Sequence, residues 1–308
     1  MSKRLIGMAA AAAAALLAST AALAAEVYPD VADVSHASSA VVAAFRGFFT
    51  AKSAHRPADL MSHFAKTKVL YIDVTSGGIW PSWESLDKTF TGFLPKAPPA
   101  AMSYPVRIYG DRKSAIVAFT DTPELFGREL RILGAVSFDD AGHIIRWMDY
   151  WDGRSSGAKN SIGPAYPTDF HDGVGNATGR IADICGRLGK AFAAGDAAAA
   201  ADLFSPDAVY EDMALHGQVL GKLQIKRYLT RALPKLPYGP GAAVAHVVGS
   251  DQGGGCEWRA APTFPQRRGN TALALDSEGR IARLTVVYDS SLFSDADYRG
   301  LVSLAGEP

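Results

Sequence analysis

The sequence has few of the residues from which metal, disulfide and nucleophile sites are usually built. It contains 2 cysteines and 7 histidines among 308 residues. Neither an H-E-x-x-H nor a C-x-x-C spacing occurs, so the common zinc sites are not expected. A G-x-S-x-G nucleophile elbow and a phosphate-binding loop are also missing. The sequence therefore predicts no metal and no cofactor.

No charge of either sign dominates the chain. The 31 basic and 31 acidic residues give a formal net charge of +0, which does not indicate a nucleic acid or an anionic membrane as a partner. The composition is 48% hydrophobic and 20% charged, as in an ordinary globular protein and too apolar for disorder. After residue 24, no segment reaches the ~18 unbroken apolar residues of a membrane-spanning helix.

The first 24 residues have the pattern of a secretory signal peptide. Lys3 and Arg4 precede an apolar run from Met8 to Leu17, and Ala22 to Ala24 form an A-x-A-type cleavage site. The pattern predicts a periplasmic or secreted protein without membrane attachment after cleavage. A membrane anchor is the alternative, although the Ala-rich run is short for a span.

The two cysteines fall in the same half of the chain. Cys185 lies on an apolar helical stripe, and Cys256 lies in a predicted strand. Exported proteins usually meet an oxidising environment, where disulfides persist. Both a disulfide between these residues and a pair of buried thiols are compatible with the sequence.

A repeat organises the whole chain. The segment Phe138 to Asp152 reads as a hairpin tip followed by an alternating strand, and Leu275 to Asp289 repeats it. The residues that recur at one constant spacing are Asp139/Asp276, Gly142/Gly279, Ile144/Ile281, Arg146/Arg283 and Asp152/Asp289. At a second, nearly equal spacing the recurring residues are Tyr71/Tyr210, Asp73/Asp212, Leu94/Leu233, Gly110/Gly249, Phe119/Trp258 and Pro123/Pro262. The pattern predicts a duplicated α+β unit.

Both halves show the same order of predicted elements. In the first half, hydrophobic periodicity predicts helices over 37–52, 57–64 and 86–94, with one strand over 69–74 between the second and third helices. Four strands follow, over 106–109, 114–120, 130–138 and 144–151. In the second half it predicts helices over 181–192, 197–204 and 225–233 and a strand over 208–213. Residues 153–180, rich in Gly, Ser and Pro, are typical of a linker. The predicted organisation is a signal peptide (1–24), a first domain (25–152), a linker (153–180) and a second domain (181–308).

The repeated unit resembles the SnoaL-like superfamily, also called nuclear transport factor two-like (NTF2-like). Phe204 to Gly221 and Asp276 to Asp289 carry the resemblance. It implies two tandem cone-shaped domains, each a curved antiparallel sheet wrapped around about three helices and enclosing an apolar cavity. Members include steroid isomerases, polyketide cyclases, small dehydratases and non-catalytic pockets, so the resemblance alone does not specify a function.

Asp73 and Asp212 match the position at which ketosteroid-isomerase-like members carry a general base. An apolar wall raises the pKa of a carboxyl and makes it a stronger base. The two oxyanion donors of that group are not matched. Leu188 and Thr271 occupy these positions in the second half, and Phe48 or a neighbour and Gly134 occupy them in the first.

The first half has a second acidic residue of interest. Ile145, Trp147, Asp149 and Trp151 share one face of the closing strand, which would hold the Asp149 carboxyl between two indoles. Asp73 and Asp149 could then divide the base and acid roles, with Tyr71 as a hydrogen-bond donor. The alternative is that Asp149 caps the strand near solvent or pairs with Arg146, Arg107 or Arg131.

Aromatic residues suggest where a ligand would bind. Trp80 and Trp83 flank a loop at the expected rim of the first cavity, which suits a planar or hydrophobic ligand, although core packing is the alternative. His216, in a polar turn, is either a proton shuttle or a surface residue. The candidate substrate-binding residues are Trp80, Trp83, Trp147, Trp151, Tyr210, Asp212 and Tyr288.

Two functions follow from these features. One is a cofactor-free lyase, isomerase or cyclase that acts on a small hydrophobic carbonyl compound, with catalytic residues Asp73, Asp149 and Tyr71. The other is a non-catalytic module that binds a small hydrophobic molecule. In both cases the two domains are expected to pair as an intramolecular pseudo-dimer.

Overall fold

The structure, a computed structural model, describes residues 27–156 and 173–306. The signal peptide predicted over 1–24 and most of the linker predicted over 153–180 lie outside the described residues. The strands are β1 (Asp33–Ala37), β2 (Leu70–Asp73), β3 (Gly78–Trp80), β4 (Ser103–Gly110), β5 (Ser114–Asp121), β6 (Leu130–Phe138), β7 (Ile144–Trp151), β8 (Phe204–Asp212), β9 (Gly217–Leu220), β10 (Ala243–Ser250), β11 (Gly253–Arg259), β12 (Arg268–Leu275) and β13 (Ile281–Tyr288). The α-helices are α1 (Ser39–Ser53), α2 (Pro57–Met61), α3 (Trp83–Phe93), α4 (Pro123–Phe126), α5 (Gly153–Ser156), α6 (Arg180–Ala193), α7 (Ala197–Ala201), α8 (Lys222–Ala232) and α9 (Asp295–Ser303).

The strands form two separate sheets with the same internal order. The first sheet runs β1-β4-β5-β6-β7-β2-β3, and the second runs β10-β11-β12-β13-β8-β9. Neighbouring strands are antiparallel except β1 with β4, β7 with β2 and β13 with β8. The predicted fold class, α+β with two tandem domains of sheet and helices, is confirmed.

Several element boundaries differ from the prediction. Helix α2 ends at Met61 and not at Phe64, and Phe204 opens strand β8 although it was assigned to a helix. Strands β1, β3 and β9 and helices α4, α5 and α9 were not predicted. The short strands β3 and β9 contain three and four residues, too few for alternation to be recognised in a sequence.

Local sequence explains where α1 and α3 begin. Ser38 precedes α1, and its Oγ accepts a hydrogen bond from the backbone N–H of Val41. Ser82 and Ser85 form a reciprocal capping box at the start of α3. Such caps satisfy backbone donors that a helix itself leaves unpaired.

Each sheet has an inner face, covered by its helices, and an outer face, turned towards the other half. In the first half the inner face packs Val117, Phe119, Trp147 and Trp151 against α1 and α3. The outer faces of both sheets share one apolar cluster, which includes Ile72, Tyr109, Ile116, Ala118, Leu133, Ala135, Met148, Tyr150, Val248, Ala272, Ala274 and Val287. Because β5 is covered on both faces, all eight of its residues are buried.

Polar contacts also join the two halves. Arg146 Nη2 lies 2.5 Å from Glu257 Oε2, and the Tyr150 hydroxyl donates to Glu257 Oε1 at 2.6 Å. The repeated Gly110 and Gly249 also meet between the halves, where a Cβ built on Gly110 would lie 3.0 Å from the Cα of Gly249. Glycine therefore permits the close approach of the two backbones.

Within the described ranges, no helix is both long and apolar enough to span a bilayer. The same residues contain no group of three or more His, Cys, Asp or Glu side chains arranged to hold a metal ion.

Candidate functional site

The parallel pairing of β2 with β7 brings two carboxyls together on the inner face of the first sheet. Tyr71 is the register partner of Trp147, and Asp73 is the partner of Asp149. Gly134 of β6 lies opposite Asp149, and a Cβ at that position would lie 3.1 Å from Trp147 Nε1. The glycine thus leaves room for the indole that contacts Asp149.

Asp149 is a buried carboxyl with two neutral donors. Its side chain is 5% exposed, Trp147 Nε1 donates to Oδ1 at 2.5 Å, and the Tyr71 hydroxyl donates to Oδ2. Burial raises its pKa to about 7, the charge of Asp73 adds to the rise, and the bonds from Tyr71 and Trp147 oppose it. At neutral pH this carboxyl can therefore exchange a proton.

The predicted arrangement of Asp149 between two indoles is half correct. Trp147 contacts Asp149, but the Trp151 indole donates to Asp73 Oδ1 at 2.9 Å. Each of the three arginines considered as an alternative partner lies beside another acid. The pairs are Arg146 with Glu257, Arg107 with Glu211 and Arg131 with Glu129.

Asp73 caps a turn and also lies beside the other carboxyl of the site, Asp149. Its Oδ1 also accepts the backbone N–H groups of Thr75 at 3.1 Å and Ser76 at 2.9 Å, a turn that leads into β3. Burial raises the pKa of Asp73, and the bonds from Ser76, Trp151 and Thr75 oppose that rise. As whole residues Asp73 and Tyr71 are partly exposed, but their carboxyl and hydroxyl groups lie in a densely packed environment.

Aromatic rings surround Tyr71. Its ring stacks on Trp147 with centroids 6.0 Å apart and meets Trp80 edge-on at 5.5 Å. Trp80 is itself fixed by a bond of 2.7 Å from its Nε1 to Thr89 Oγ1. Burial, followed by the charge of Asp149, raises the pKa of Tyr71 well above its usual value, so its hydroxyl remains a donor.

Trp83 does not join this group. Its Nε1 donates to the carbonyl oxygen of Met61 at 3.2 Å, and its ring lines a surface groove with Phe64, Lys66 and His143. Of the two tryptophans predicted at the rim, Trp80 thus contacts Tyr71, whereas Trp83, the first residue of α3, contacts the end of α2.

Lys52 and Asp121 form a buried ion pair that the sequence analysis missed. Lys52 Nζ lies 2.8 Å from Asp121 Oδ1, with side chains 7% and 4% exposed. The ammonium also lies over the Phe119 ring, 5.1 Å from its centroid. The available signal was the position of Lys52, which continues the apolar stripe of Phe45 and Phe49 along α1.

The inner face of the second half is arranged differently. Asp212 Oδ1 accepts the backbone N–H groups of Ala214 and Leu215, as Asp73 does in the first half. Its Oδ2 accepts the hydroxyls of Tyr238 at 3.1 Å and Tyr288 at 3.4 Å. Burial raises the pKa of Asp212 to about 7, against the opposing hydrogen bonds.

Four tyrosines enclose this second carboxyl. Tyr210 and Tyr238 share a hydrogen bond, and the Tyr210 ring lies 5.4 Å from Tyr228. All four tyrosines, including Tyr288, are at most 2% exposed. Tyr228 and Tyr238 have no aromatic counterpart in the first half, so the repeat gave no signal for them.

The two inner faces differ at three polar positions. The register partner of Asp212 is Val286 where that of Asp73 is Asp149. In the repeat, Ala260 is the residue equivalent to Asp121. Helices α1 and α6 are both followed by a left-handed residue, His55 and Gly195, and aligning these two makes Phe192 the equivalent of Lys52. Asp149 and the Lys52–Asp121 ion pair are therefore features of the first inner face, and apolar residues replace them in the second, whereas Asp73 is retained there as Asp212.

Open space is distributed unevenly. A cleft of about 460 Å³ lies between the two halves and is lined by residues that include Arg107, Thr120, Glu211 and His216, but it reaches neither Asp73 nor Asp149. In the second half a void of about 20 Å³ lies beside Tyr238. The first inner face is filled by aromatic side chains, so an occupant must displace some of them.

The remaining candidates are Cys185, Cys256 and His216, whose contacts are mainly structural. Cys185 and Cys256 are free and buried thiols, and burial followed by the neighbouring Cys256 raises the pKa of Cys185. His216 has a half-exposed side chain whose Nε2 lies 3.8 Å from Asp152 Oδ2. Its backbone is left-handed, with φ of 54°, at the position that Gly77 holds in the first half.

Comparison with solved structures finds NTF2-like and SnoaL-like proteins. An NTF2-like protein of unknown function from Burkholderia xenovorans has 19% identity and a TM-score of 0.30, covering 36% of this chain and 83% of that one. A SnoaL-like protein of Burkholderia thailandensis has 14% identity and a TM-score of 0.32, covering 36% and 96%. A steroid delta-isomerase of Pseudomonas aeruginosa has 18% identity and a TM-score of 0.33, covering 42% and 90%.

No family model matches the chain, and no curated protein matches it. Each solved structure covers about the length of one half, and at these identities none of them specifies an activity. What the comparisons find for this chain are NTF2-like and SnoaL-like structures, the group that the repeated sequence unit resembles.

Proposed function

We propose that the first domain catalyses proton transfer on a small hydrophobic carbonyl compound without a cofactor, as an isomerase, lyase or cyclase would. The supporting observation is the adjacent pair of Asp73 and Asp149, with Asp149 hydrogen-bonded to Tyr71. A carboxyl pair in one apolar environment can separate into an ionised base and a protonated acid.

The proposed cycle has a balanced proton count. The Asp73 carboxylate removes a proton from the carbon next to the carbonyl, and the C–H electrons form the enol double bond. Tyr71 donates its hydroxyl proton to the carbonyl oxygen while protonated Asp149 re-protonates Tyr71. Reversal of the proton transfers, with Asp73 returning its proton to the same or another carbon, gives the product and restores both acids.

Deuterium exchange tests this assignment without knowledge of the natural substrate. The probe is 2-tetralone, a planar bicyclic ketone with acidic C–H bonds, incubated with the full chain in D₂O and followed by NMR. Asp73→Asn is expected to lower the catalysed exchange rate by roughly 100-fold, the usual scale for loss of a general base. The matched control is Asp212→Asn, which changes the equivalent aspartate of the second half and should leave the rate unaltered.

Two results would contradict the proposal. One is wild-type exchange in Asp73→Asn, and the other is an equal loss in Asp212→Asn. If the wild-type chain does not accelerate exchange of 2-tetralone or of related cyclic ketones, the second candidate function is preferred.

That second candidate is a non-catalytic module that binds a small hydrophobic molecule. It is favoured by the aromatic packing of the first inner face and by the three donors already bonded to Asp73 Oδ1. Native mass spectrometry of the purified chain would detect a retained molecule. Asp73→Asn should then leave its retention unchanged.

The setting of this activity is also part of the proposal. The Lys-Arg pair, apolar run and A-x-A site of residues 1–24 support export to the periplasm or the medium. The shared outer-face cluster supports a permanent intramolecular pair of domains. Mass spectrometry of the exported chain tests the first point, since the mature mass should correspond to a start at residue 25.

A further inference from the structure

We propose that the first inner face selects a hydrophobic carbonyl compound that also carries a carboxylate, and that Lys52 binds this carboxylate. The inference rests on the proposed function in taking the inner face of the first domain as the ligand site. It adds a substrate class and a binding residue to that proposal.

The position of Lys52 is the first argument. Its ammonium lies 5.1 Å from the centroid of Phe119, and the Phe119 and Trp147 rings are 6.1 Å apart. Trp147 in turn donates to Asp149. Two aromatic rings therefore separate the cation from the acid pair.

The electrostatic coupling agrees with this geometry. Burial is the main cause of the raised pKa of Asp149, and the positive charge of Lys52 opposes the rise. Burial and Asp149 raise the pKa of Tyr71, and the charge of Asp121 adds to that rise. The ion pair and the acid pair thus lie within Coulombic reach of one another.

The surroundings of the ion pair contain unused hydrogen-bonding capacity. An ammonium has three donor hydrogens, and Asp121 is the hydrogen-bond partner observed for Lys52. Ser103, the register partner of Asp121, is 0% exposed, and its Oγ has no hydrogen-bond partner among the described residues. A carboxylate arriving here can accept from both Lys52 and the Ser103 hydroxyl.

The chain that follows Asp121 is loosely packed, and we expect a ligand to enter there. Helix α4 begins two residues later and buries none of its own side chains. Phe126 at its end is 47% exposed and contacts the ring of Phe93. A segment with so few buried contacts can move at low free-energy cost.

The second half indicates that this polar pair is not required by the fold. Phe192 and Ala260 occupy the equivalent positions there, and the corresponding helix and sheet still pack together. Replacing a buried ion pair by apolar residues is often neutral or stabilising. A purely structural role would therefore leave Lys52 and Asp121 without an advantage over the residues of the second half.

The test compares two probes of equal shape, 2-naphthoate and 2-naphthamide, titrated calorimetrically into the folded full chain. Charge-assisted hydrogen bonds to Lys52 should make the wild type bind the carboxylate about tenfold or more tightly than the amide. Lys52→Met/Asp121→Leu removes both charges together, so that neither remains buried alone, and should bind the two probes equally. Asp121→Asn leaves Lys52 without its competing carboxylate and should bind 2-naphthoate more tightly than the wild type does.

Three results would overturn the inference. They are equal or immeasurably weak binding of both probes to the wild type, a carboxylate preference that persists in the double variant, and weaker carboxylate binding in Asp121→Asn. The assay involves no turnover, so its failure is distinguishable from a failure of the deuterium-exchange test. Loss of exchange with a retained carboxylate preference would remove the proposed chemistry and keep the Lys52 site.

Discussion

Asp152 and Asp289, which follow the closing strands of the two sheets, each cap the chain of the other half. Asp152 Oδ1 accepts the backbone N–H of Ser290 at 2.8 Å, and Asp289 Oδ1 accepts the backbone N–H of Gly153 at 3.1 Å. Both residues are buried, at 6% and 9% exposure. The repeated aspartate is thus a reciprocal connection between the halves.

Removing these caps should weaken the pairing of the halves. Asp152→Ala and Asp289→Ala are each expected to lower the free energy of unfolding by about 1–2 kcal/mol, because each leaves a buried N–H without its acceptor. The free energy of unfolding lost in the double variant should be smaller than the sum of the losses in the two single variants, since the contacts lie in one network. Urea unfolding of the four proteins measures this cycle.

Asp139→Ala is the matched control, because Asp139 Oδ1 accepts from His143 N within a single hairpin. It should show no coupling to Asp289→Ala. Full additivity of Asp152→Ala and Asp289→Ala would contradict the reciprocal role.

The duplication explains how much of the fold could be predicted. Strands β6 and β7 have the bounds that alternation and the repeat gave them, because turn residues such as Gly142 mark their ends. Phe204 was misassigned because the Ala-rich segment before it continues a helical pattern without a break. Its pairing with Ile281 in the sheet, a long-range contact, determines the outcome.

A buried ion pair across the two halves allows a second prediction. Glu257→Ala removes a charged partner of Arg146 and of the Tyr150 hydroxyl and should cost roughly 3–5 kcal/mol, the scale for breaking a buried ion pair by removing one member. Arg146→Met/Glu257→Leu removes both charges and should recover most of that loss. Guanidinium unfolding monitored by tryptophan fluorescence gives the values, and an equally unstable double variant would disprove the explanation.

His216 supports a third prediction, whose size depends on pH. A non-glycine residue at φ of 54° is strained by about 1 kcal/mol relative to glycine, so His216→Gly should be stabilising at pH 8. The nearby Asp152 carboxylate, 3.8 Å from Nε2, is the largest cause of the raised pKa of His216. Since this pKa is raised in the folded state, the favourable contact is complete at low pH and is lost as pH rises through it.

The increase in stability from His216→Gly should therefore be smaller at pH 5 than at pH 8. The difference between the two pH values should be modest, because the imidazole is half exposed. Thermal unfolding at both pH values checks this difference. His216→Asn, which tolerates a left-handed backbone without a charge, should show no such pH dependence. A gain for His216→Gly that is the same at both values would show that the contact with Asp152 has no energetic role.

The site could be predicted only in part, for identifiable reasons. Strand parity placed Asp73, Asp149 and Tyr71 on one face, because side chains alternate across a sheet. Nothing in the sequence indicated that Trp151 would bond to Asp73 and not to Asp149, since both acids lie within reach of an indole. Lys52 was overlooked because a lysine on an apolar stripe is most often a residue whose charged end reaches solvent.

The fourth prediction concerns the pH dependence of stability. The pKa of Asp149 is raised by burial to about 7, whereas an unfolded aspartate titrates near 3.9. Between these values the folded chain holds a proton that the unfolded chain has released. The free energy of unfolding should therefore fall as pH rises from about 4 to about 7, by up to about 1.4 kcal/mol per pH unit, and change little above pH 7 on account of this group.

Asp149→Val introduces the residue that the second half carries at this position, Val286. It should abolish the Asp149 contribution to the slope and be more stable than the wild type at pH 8, where the wild-type carboxyl is ionised and buried. Asp212 has the same raised pKa, so part of the slope should remain until Asp212→Asn is added. Urea unfolding at pH 5, 6, 7 and 8 measures these slopes, and a wild-type slope in Asp149→Val would mean that Asp149 stays ionised in the folded chain and cannot act as the acid.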